Sequence, residues 1–418
     1  MRNKLQHIFI FICFTIMYIF TTPLYSQNCS VDSTGLIPIP DLANVTYQGY
    51  QGGLYFGTNT KPVHHINNLN NANSKIKPLN SLGVPDSSMG KIVFLSIGAS
   101  NPKTEFESFQ TITDTFSLLN PYLKIVNGCK GGSGIQKLLD TTDNYWHYVI
   151  NQLTASAVNR NQVQLIWLEE ENTQTSNINF PGAPLALMGE FKKIFNILVQ
   201  FYPNLQICYL TARGYSGYLD DTSSAGNGLR HPRDYYNGWA MKWLIENQIS
   251  GDTSLAFTGA NRRAPLLDWS AYLWADGKNQ RQDGLNWICP VDVKPGDGLH
   301  WSPTGNVKAG IAIFQKFYLD AEAGKWFMKK QVTNEDENPE TGILLIYPNP
   351  SKNYFQIKTT GIEKFDVFIY NNLGQLVMMN HNAGDGDMIY HNLTNGLYYL
   401  KIKTGNMVVK TIKIWVHK

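Results

Sequence analysis

The chain has 418 residues, which is more than one domain usually needs, so at least two domains are expected. Hydrophobic residues make up 43% of the chain, enough for a buried core, whereas charged residues make up only 16%. The formal net charge of +3 is too small for a nucleic-acid-binding surface, so no nucleic-acid partner is expected.

Residues 1–26 are typical of an export signal. Arg2 and Lys4 give a basic start, and the apolar run at 8–20 is too short for a comfortable membrane span. Ser26 is the expected cleavage position. A membrane anchor and a lipid anchor on Cys29 are the alternatives, although Gln27 and the next residue are not the small residues that a lipid-anchor site needs. We therefore predict a signal peptide and no permanent transmembrane segment.

Four cysteines remain beyond the signal: Cys29, Cys129, Cys208 and Cys289. An even number in an exported protein permits two disulfides, but four cysteines allow three pairings and the sequence does not choose among them. Buried free thiols are an equal alternative. No Cys/His spacing is typical of a metal site, so neither a metal nor a cofactor is expected.

Strand and helix patterns alternate through the middle of the chain. Residues 27–90 are polar and turn-rich and are predicted to form an irregular lead-in that packs on the next domain. Strands are predicted at 92–97, 123–126, 163–168 and 205–210, and helices at 106–119, 145–158, 185–201, 235–248 and 304–321. The short, continuously apolar strands indicate a mainly parallel sheet buried on both faces. Residues 91–326 are therefore predicted to be a three-layer α/β domain.

The periodicity changes near the C-terminus. Residues 327–342 are predicted to be a linker, because most of this stretch is acidic, polar and free of aromatic residues. Beyond it, apolar residues alternate with polar ones between turn motifs. Strands are predicted at 343–347, 354–358, 365–370, 375–379, 388–390, 397–403 and 408–415. Residues 343–418 are therefore predicted to form a small antiparallel β-sandwich.

Three segments of this sandwich, YPNPSKNYFQI, FDVFIYNNLGQLV and LTNGLYYLKIKTGNMVVKTIKI, occur in order at the end of the chain. Together they resemble the C-terminal sorting domain of the type IX secretion system of Bacteroidetes. The resemblance implies passage across an outer membrane, the type IX machinery as a partner, and a secreted or cell-surface protein. An ordinary carbohydrate-binding sandwich is the alternative interpretation.

Two motifs carry the groups that acyl transfer through a serine needs. GASN at 98–101 follows the first predicted strand and exposes Ser100 at the strand's carboxyl end. DGLHWSPTG at 297–305 sets Asp297 and His300 three positions apart, just before a helix. A serine hydroxyl becomes a nucleophile when a base takes its proton, and a carboxylate orients that base. The alternatives are a turn serine and a surface histidine paired with its neighbouring carboxylate.

Two further motifs follow the second and third strands. In NGCKGGSG at 127–134, a glycine N–H is suited to stabilising an oxyanion. In WLEEENTQ at 167–174, the side-chain amide of Asn172 offers a second donor, whereas Glu169, Glu170 and Glu171 offer carboxylates for sugar-bond cleavage. A flexible turn and a solvated charged loop are the alternatives.

Three more side chains are predicted to line a substrate pocket. Arg213 and Tyr215 follow the fourth strand, so they reach the same sheet edge as Ser100. Trp301 offers a flat face for a sugar ring. A structural ion pair for the arginine and a core position for the tryptophan are the alternatives.

The four motifs, in this order over residues 91–325, resemble those of SGNH/GDSL-type serine esterases, and GASN is similar to the GQSN of carbohydrate acetylesterases. The resemblance implies that Ser100 is the nucleophile, that Asp297 and His300 activate it, and that Gly132 and Asn172 bind the oxyanion. Two departures stand out. Gly-Ala-Ser replaces the family's Gly-Asp-Ser, and Glu-Glu-Glu-Asn-Thr replaces Gly-x-Asn-Asp, which puts an acidic loop beside developing negative charge.

The sequence therefore predicts a secreted serine hydrolase that removes an acyl group, with acetyl favoured, from a carbohydrate. Two other functions remain open. One is a non-catalytic, glycan-binding surface protein on a degenerate form of the same fold. The other is a glycosidase that uses Glu169, Glu170 and Glu171.

Overall fold

The structure, a computed structural model, describes residues 27–116, 118–329, 345–359, 362–371, 375–404 and 407–416. The predicted signal peptide and most of the predicted linker lie outside the described residues. Within the described ranges, no helix is both long and apolar enough to span a bilayer.

The lead-in contains more regular structure than its polar sequence predicts. Its elements are α1 (Ile39–Leu42), β1 (Thr46–Tyr47), β2 (Tyr50–Gln51) and α2 (Val63–Lys75). Helix α2 is rich in asparagine, yet it buries His65 and Leu69. The ring of His65 lies 3.3 Å from Asp268, and Lys61 forms an ion pair with the same carboxylate at 2.9 Å. The lead-in therefore contacts the main domain through buried polar and charged side chains as well as through apolar ones.

A parallel sheet of five strands forms the centre of the main domain. Its strands are β3 (Ile92–Gly98), β4 (Leu123–Asn127), β5 (Val163–Glu169), β6 (Ile207–Ala212) and β7 (Leu266–Tyr272), in the order β4-β3-β5-β6-β7. Four of them match the predicted strands, and β7 was not predicted. Strands β3, β5, β6 and β7 are buried along their whole length, as continuous apolar runs covered on both faces should be.

Helices flank this sheet and confirm the predicted three-layer fold. They are α3 (Ser100–Asp114), α4 (Ile135–Leu138), α5 (Asn144–Ala155), α6 (Gly182–Phe201), α7 (Arg233–Ile249), α8 (Pro303–Leu319) and α9 (Gly324–Phe327). Short 3-10 turns occupy Arg160–Gln162, Asn227–Leu229 and Thr253–Leu255. Helices α3 and α8 pack so closely that a Cβ on Gly310 would lie 2.7 Å from the side chain of Ser108.

The strand order fixes where a ligand can bind. From β3 the chain moves to one side to form β4, and then returns to the other side of β3 to form β5. The loops that follow neighbouring strands consequently leave the sheet in opposite directions and open a crevice at its carboxyl edge. Ser100, Gly132 and Glu170 all lie in loops or helix ends at this edge.

The C-terminal region has the predicted antiparallel strands and its own core. The strands are β8 (Leu345–Tyr347), β9 (Tyr354–Lys358), β10 (Lys364–Tyr370), β11 (Leu376–Gly384), β12 (Met388–Tyr390), β13 (Gly396–Thr404) and β14 (Met407–Val416). They form one sheet in the order β11-β10-β13-β14 and another in the order β12-β9-β8. Phe355, Ile369 and Leu400 are fully buried in the core of this region.

One disulfide is present among the described residues. It joins Cys29 in the lead-in to Cys289, in the segment that leads to His300. Cys129 and Cys208 are buried free thiols, so of the alternatives that the sequence left open, one bridge and two thiols are found. The bridge connects positions that are 260 residues apart.

Removing this bridge should lower the thermal stability of the protein. For the double variant Cys29→Ser/Cys289→Ser we expect a loss of about 2–5 kcal/mol in the free energy of unfolding, because the long loop no longer restricts the unfolded chain. Thermal unfolding with and without a reductant measures this effect. The reductant should lower the Tm of the wild type and leave the variant unchanged, whereas equal Tm values for the oxidised wild type and the variant would contradict the prediction.

Candidate active site

Ser100, His300 and Asp297 form a continuous hydrogen-bonded chain at the carboxyl edge of the sheet. The Oγ atom of Ser100 lies 2.8 Å from Nε2 of His300, although 200 positions separate the two residues in the sequence. The other ring nitrogen, Nδ1, lies 2.8 Å from Oδ2 of Asp297. In this geometry the imidazole can take the serine proton while the carboxylate fixes its tautomer.

The surroundings of Asp297 keep its carboxylate ionised. Partial burial acts to raise the pKa of Asp297, but hydrogen bonds from the His300 ring and from backbone N–H groups outweigh it and lower that pKa well below its usual value. The N–H groups of Leu299 and His300 each donate to Oδ1 at 2.9 Å. Asp297 is therefore an acceptor for the imidazole throughout the neutral pH range.

The segment that carries His300 is anchored on both sides. Ser302 caps the N-terminus of α8 with its side chain, which fixes the backbone just after the histidine. On the other side, Nδ2 of Asn101 donates to the carbonyl of Leu299 at 3.0 Å. Because Asn101 directly follows Ser100, this hydrogen bond ties the histidine segment to the helix that begins at the serine.

Two backbone N–H groups beside Ser100 are suited to binding an oxyanion. Ser100 and Gly132 line the same pocket, and no acceptor among the described residues takes either N–H. Ser100 is the first residue of α3, where unpaired N–H groups and the helix dipole favour negative charge. Gly132 has a φ of 71°, which favours glycine.

The glycine loop is fixed next to the serine. The N–H of Lys130 donates to the carbonyl of Gly98 at 2.9 Å, which joins the loop to the end of β3. A Cβ on Gly131 would lie 3.9 Å from Cβ of Ser100. Gly98 itself has no space for a side chain, because a Cβ there would lie 2.6 Å from the carbonyl of Glu169. The glycines of both motifs thus permit close approach of three backbone segments.

The structure does not bring Asn172 to the oxyanion position. Its Nδ2 donates to Oε1 of Glu190 at 2.6 Å, and its Oδ1 accepts the N–H groups of Gln174 and Thr175 at 3.2 Å each. Asn172 is also not among the residues that line the Ser100 pocket. Its side chain fastens the turn after β5, so the geometry does not support the predicted role as an oxyanion donor.

The three glutamates after β5 are buried rather than solvated. Glu169, Glu170 and Glu171 expose 3% or less of their surface. Burial raises the pKa of each, and it raises the pKa of Glu169 and Glu170 well above the usual value, so the protonated forms of these two are favoured. Glu171 forms an ion pair with Arg233. All three glutamates line the Ser100 pocket, but because two of them favour the protonated form and the third is paired, the segment adds little net negative charge near the oxyanion donors.

Of the three other residues predicted to bind substrate, the structure brings Arg213 to the pocket. Tyr215 is buried, and its hydroxyl donates to the carbonyl of Val31 at 3.0 Å. The ring of Trp301 is also buried and stacks on Trp287 with a centroid distance of 4.0 Å. Neither of these aromatic side chains is among the residues that line the Ser100 pocket, so both pack within the wall of the site.

Two pockets of different character meet at Leu299, which lines both. The inner pocket, of about 160 Å³, contains Ser100 and Gly132. The outer pocket, of about 450 Å³, is more open and contains His300. The inner pocket is of the size that accommodates a benzene-sized group, which needs about 150 Å³. Among the described residues, no cluster of three metal-ligating side chains is found.

Sequence reasoning missed two parts of this site. The loop before α7 forms a wall of both pockets, with Leu229 in the inner one and Ser224 in the outer one, and its residues carry no motif. Glu105 lies on the buried face of α3 and accepts the indole N–H of Trp301 at 2.6 Å. The sequence did contain a signal for Glu105. A charged residue there lies in the apolar stripe that includes Phe106 and Phe109, and charged residues are rarely buried without a partner.

Comparison with known families identifies the C-terminal region. Residues 345–417 match the model for the secretion system C-terminal sorting domain, which confirms the predicted type IX sorting domain. The protein is therefore secreted or located at the cell surface, and the type IX secretion machinery is a partner. No curated protein matches the chain.

Solved structures resemble the chain only distantly. One is protein YXIM from Bacillus subtilis, with 12% identity and a TM-score of 0.29, covering 56% of this chain and 58% of that one. Another is a Cellulomonas fimi endo-beta-1,4-mannanase double mutant, with 9% identity and a TM-score of 0.18, covering 77% and 59%. A third is the Clostridium perfringens spore cortex lytic enzyme SleM, with 10% identity and a TM-score of 0.21, covering 82% and 94%. The chain spans less than two thirds of the first two.

The lowered pKa of Asp297 makes a prediction about stability and pH. A carboxyl whose pKa is lower in the folded than in the unfolded state stabilises the fold above its unfolded pKa, and this contribution is lost as the pH falls through the folded value. The Tm of wild type minus that of Asp297→Asn should therefore be largest near neutral pH and shrink in acid. Thermal unfolding between about pH 3 and pH 8 tests this, and a pH-independent difference would contradict it.

Proposed function

We propose that the protein is a secreted serine hydrolase that cleaves an acyl ester, with acetyl favoured, on a carbohydrate. The observation that carries this proposal is the hydrogen-bonded chain from Ser100 through His300 to Asp297. It lies at the crevice where parallel sheets bind ligands, beside the N–H groups of Ser100 and Gly132, which no acceptor in the described part of the chain takes. The C-terminal sorting domain is consistent with a substrate outside the cell.

In the proposed reaction, His300 Nε2 removes the Ser100 proton as Oγ attacks the ester carbonyl. The N–H groups of Ser100 and Gly132 bind the resulting oxyanion, and Asp297 stabilises the imidazolium. The imidazolium then protonates the departing alcohol, which leaves an acyl-enzyme on Ser100. Water, deprotonated by His300, attacks the acyl-enzyme, and the acid and free serine are released. This route uses no metal ion.

The two pockets support a small acyl group and a larger, polar alcohol. The inner pocket is lined by the apolar side chains of Pro102, Leu229 and Leu299 in addition to the three glutamates and Arg213, and its volume suits a short acyl group. The outer pocket is wider and contains Lys294 and the hydroxyl-bearing residues Ser223 and Ser224. A sugar has hydroxyl groups that such a surface can bind.

The first test is release of acetate from an acetylated polysaccharide by the mature protein. We expect the Ser100→Ala variant to lose at least about 10³-fold in kcat/KM, because the nucleophile is absent. Ser74→Ala is the matched control, since it removes a hydroxyl from an exposed helix surface and should act like wild type. Equal activity in folded Ser100→Ala and wild type would contradict the proposal.

Acyl-chain preference gives a second test. Leu229 borders the inner pocket, so shortening it should enlarge the space for the acyl group. We expect Leu229→Ala to raise the ratio of butyrate to acetate ester hydrolysis by about 10-fold, the difference that one or two methylenes make in an apolar pocket. The ratio is measured with two esters of the same alcohol. An unchanged ratio, with acetate activity retained, would show that this side chain does not limit chain length.

A further inference from the structure

Two buried carboxyl groups meet at the wall of the Ser100 pocket, which Glu169 lines. Glu105, on α3, and Glu169, at the end of β5, expose 0% and 1% of their surface and are hydrogen-bonded to each other through their side chains. Ionised carboxylates can only accept hydrogen bonds, so a bond between two of them requires a proton on one. Oε2 of each residue also lacks a donor among the described residues.

The groups around this pair favour a single retained proton. Burial is the largest effect and raises the pKa of both Glu105 and Glu169, and the nearby carboxyl of Glu170 raises that of Glu169 further. The positive charge of Arg213, which follows β6, lowers the pKa of both Glu105 and Glu169. Burial also raises the pKa of the Cys129 thiol, and the charges of Glu170, Glu169 and Glu105 raise it further. One proton leaves the pair with one negative charge, which the Arg213 cation balances.

The pair is connected to His300 through the next residue. Oε1 of Glu105 accepts the indole N–H of Trp301 at 2.6 Å. The Trp301 ring is confined between Trp287, stacked at 4.0 Å, and Gly214, where a Cβ would lie 2.1 Å from the ring. The position of this ring is therefore fixed by its neighbours, and Trp301 directly follows His300 in the chain.

Glu105 also belongs to the helix that begins at Ser100. Its bond to Trp301 consequently joins the helix of the nucleophile to the segment of the base, and Glu169 fixes the orientation of the Glu105 carboxyl. This is a second connection between the two segments, independent of the bond from Asn101 to Leu299.

We propose that Glu105 and Glu169 share one proton and act as positioning residues, which hold His300 in register with Ser100 through Trp301. The proposal rests on the proposed hydrolase function. When the shared proton is lost, two carboxylates repel each other in a buried site, and the Glu105 acceptor no longer keeps its position under Trp301. Activity that depends on the shared proton is therefore complete below the pKa at which the pair loses it and declines above that pKa.

The test compares Glu105→Gln with Glu105→Leu. The glutamine can accept the Trp301 N–H with its oxygen and donate to Glu169 with its nitrogen, so it preserves both bonds without a shared proton. We expect Glu105→Gln to keep wild-type kcat at neutral pH and to lack the decline that wild type shows at alkaline pH. Glu105→Leu removes both bonds and should lower kcat about 100-fold with little change in KM, the cost of a small misplacement of the base.

An infrared measurement gives a readout that does not need activity. Wild type at pH 8 should show the carbonyl band of a protonated carboxyl that is absent from Glu105→Gln, while the band from Glu170 remains in both. The proposal is overturned if wild type and Glu105→Gln have the same carboxyl bands, or if their alkaline pH profiles coincide. A missing band together with inactive wild type would instead support the shared proton and contradict the hydrolase function.

Discussion

The site depends on one constraint: the segment that carries His300 must stay attached to the helix that begins at Ser100. These residues are 200 positions apart, so nothing local in the chain brings them together. The parallel sheet places the N-terminus of α3 at its carboxyl edge, and the packing of α8 against α3 brings the histidine segment to the same edge. Two hydrogen bonds, from Asn101 to the carbonyl of Leu299 and from the Trp301 indole to Glu105, then connect the two segments.

Several charged side chains are also buried near the site. A sheet edge that accommodates an oxyanion site needs unpaired N–H groups, whereas buried carboxyls near it would oppose negative charge. The structure reconciles the two by pairing Glu171 with Arg233, and by placing Arg213 near carboxyls that favour their protonated forms. The departure of WLEEENTQ from the esterase pattern is thus compatible with an oxyanion site in electrostatic terms.

The sequence predicted those parts of the fold that apolar periodicity specifies. Strands β3, β4, β5 and β6 were predicted because each is a short apolar run before a turn. Strand β7 was missed because Asp268 interrupts its apolar run, and the partners of that buried aspartate, Lys61 and His65, lie in the distant lead-in. Helix α2 was missed for the related reason that its sequence is polar and its partners lie far along the chain.

The candidate site likewise has residues that the sequence motifs predicted and others that depend on distant contacts. Ser100, Asp297 and His300 follow from motifs whose spacing sets their geometry, and the structure assembles them as expected. Asn172 shows the opposite case: its position just past β5 suggested an oxyanion donor, but Glu190, 18 residues later, engages its amide. The role of Glu105 and the choice of the Cys29–Cys289 bridge likewise depend on contacts between distant segments, which a single sequence does not display.

The central claim is that His300 activates Ser100 as a nucleophile, and labelling with a fluorophosphonate tests it most directly. Such a probe forms a stable adduct only with an activated serine. Mass spectrometry of the digested protein should place one adduct on Ser100 in wild type and none in folded His300→Ala. A well-folded wild type that acquires no adduct at Ser100, or an equally labelled His300→Ala variant, would contradict the claim.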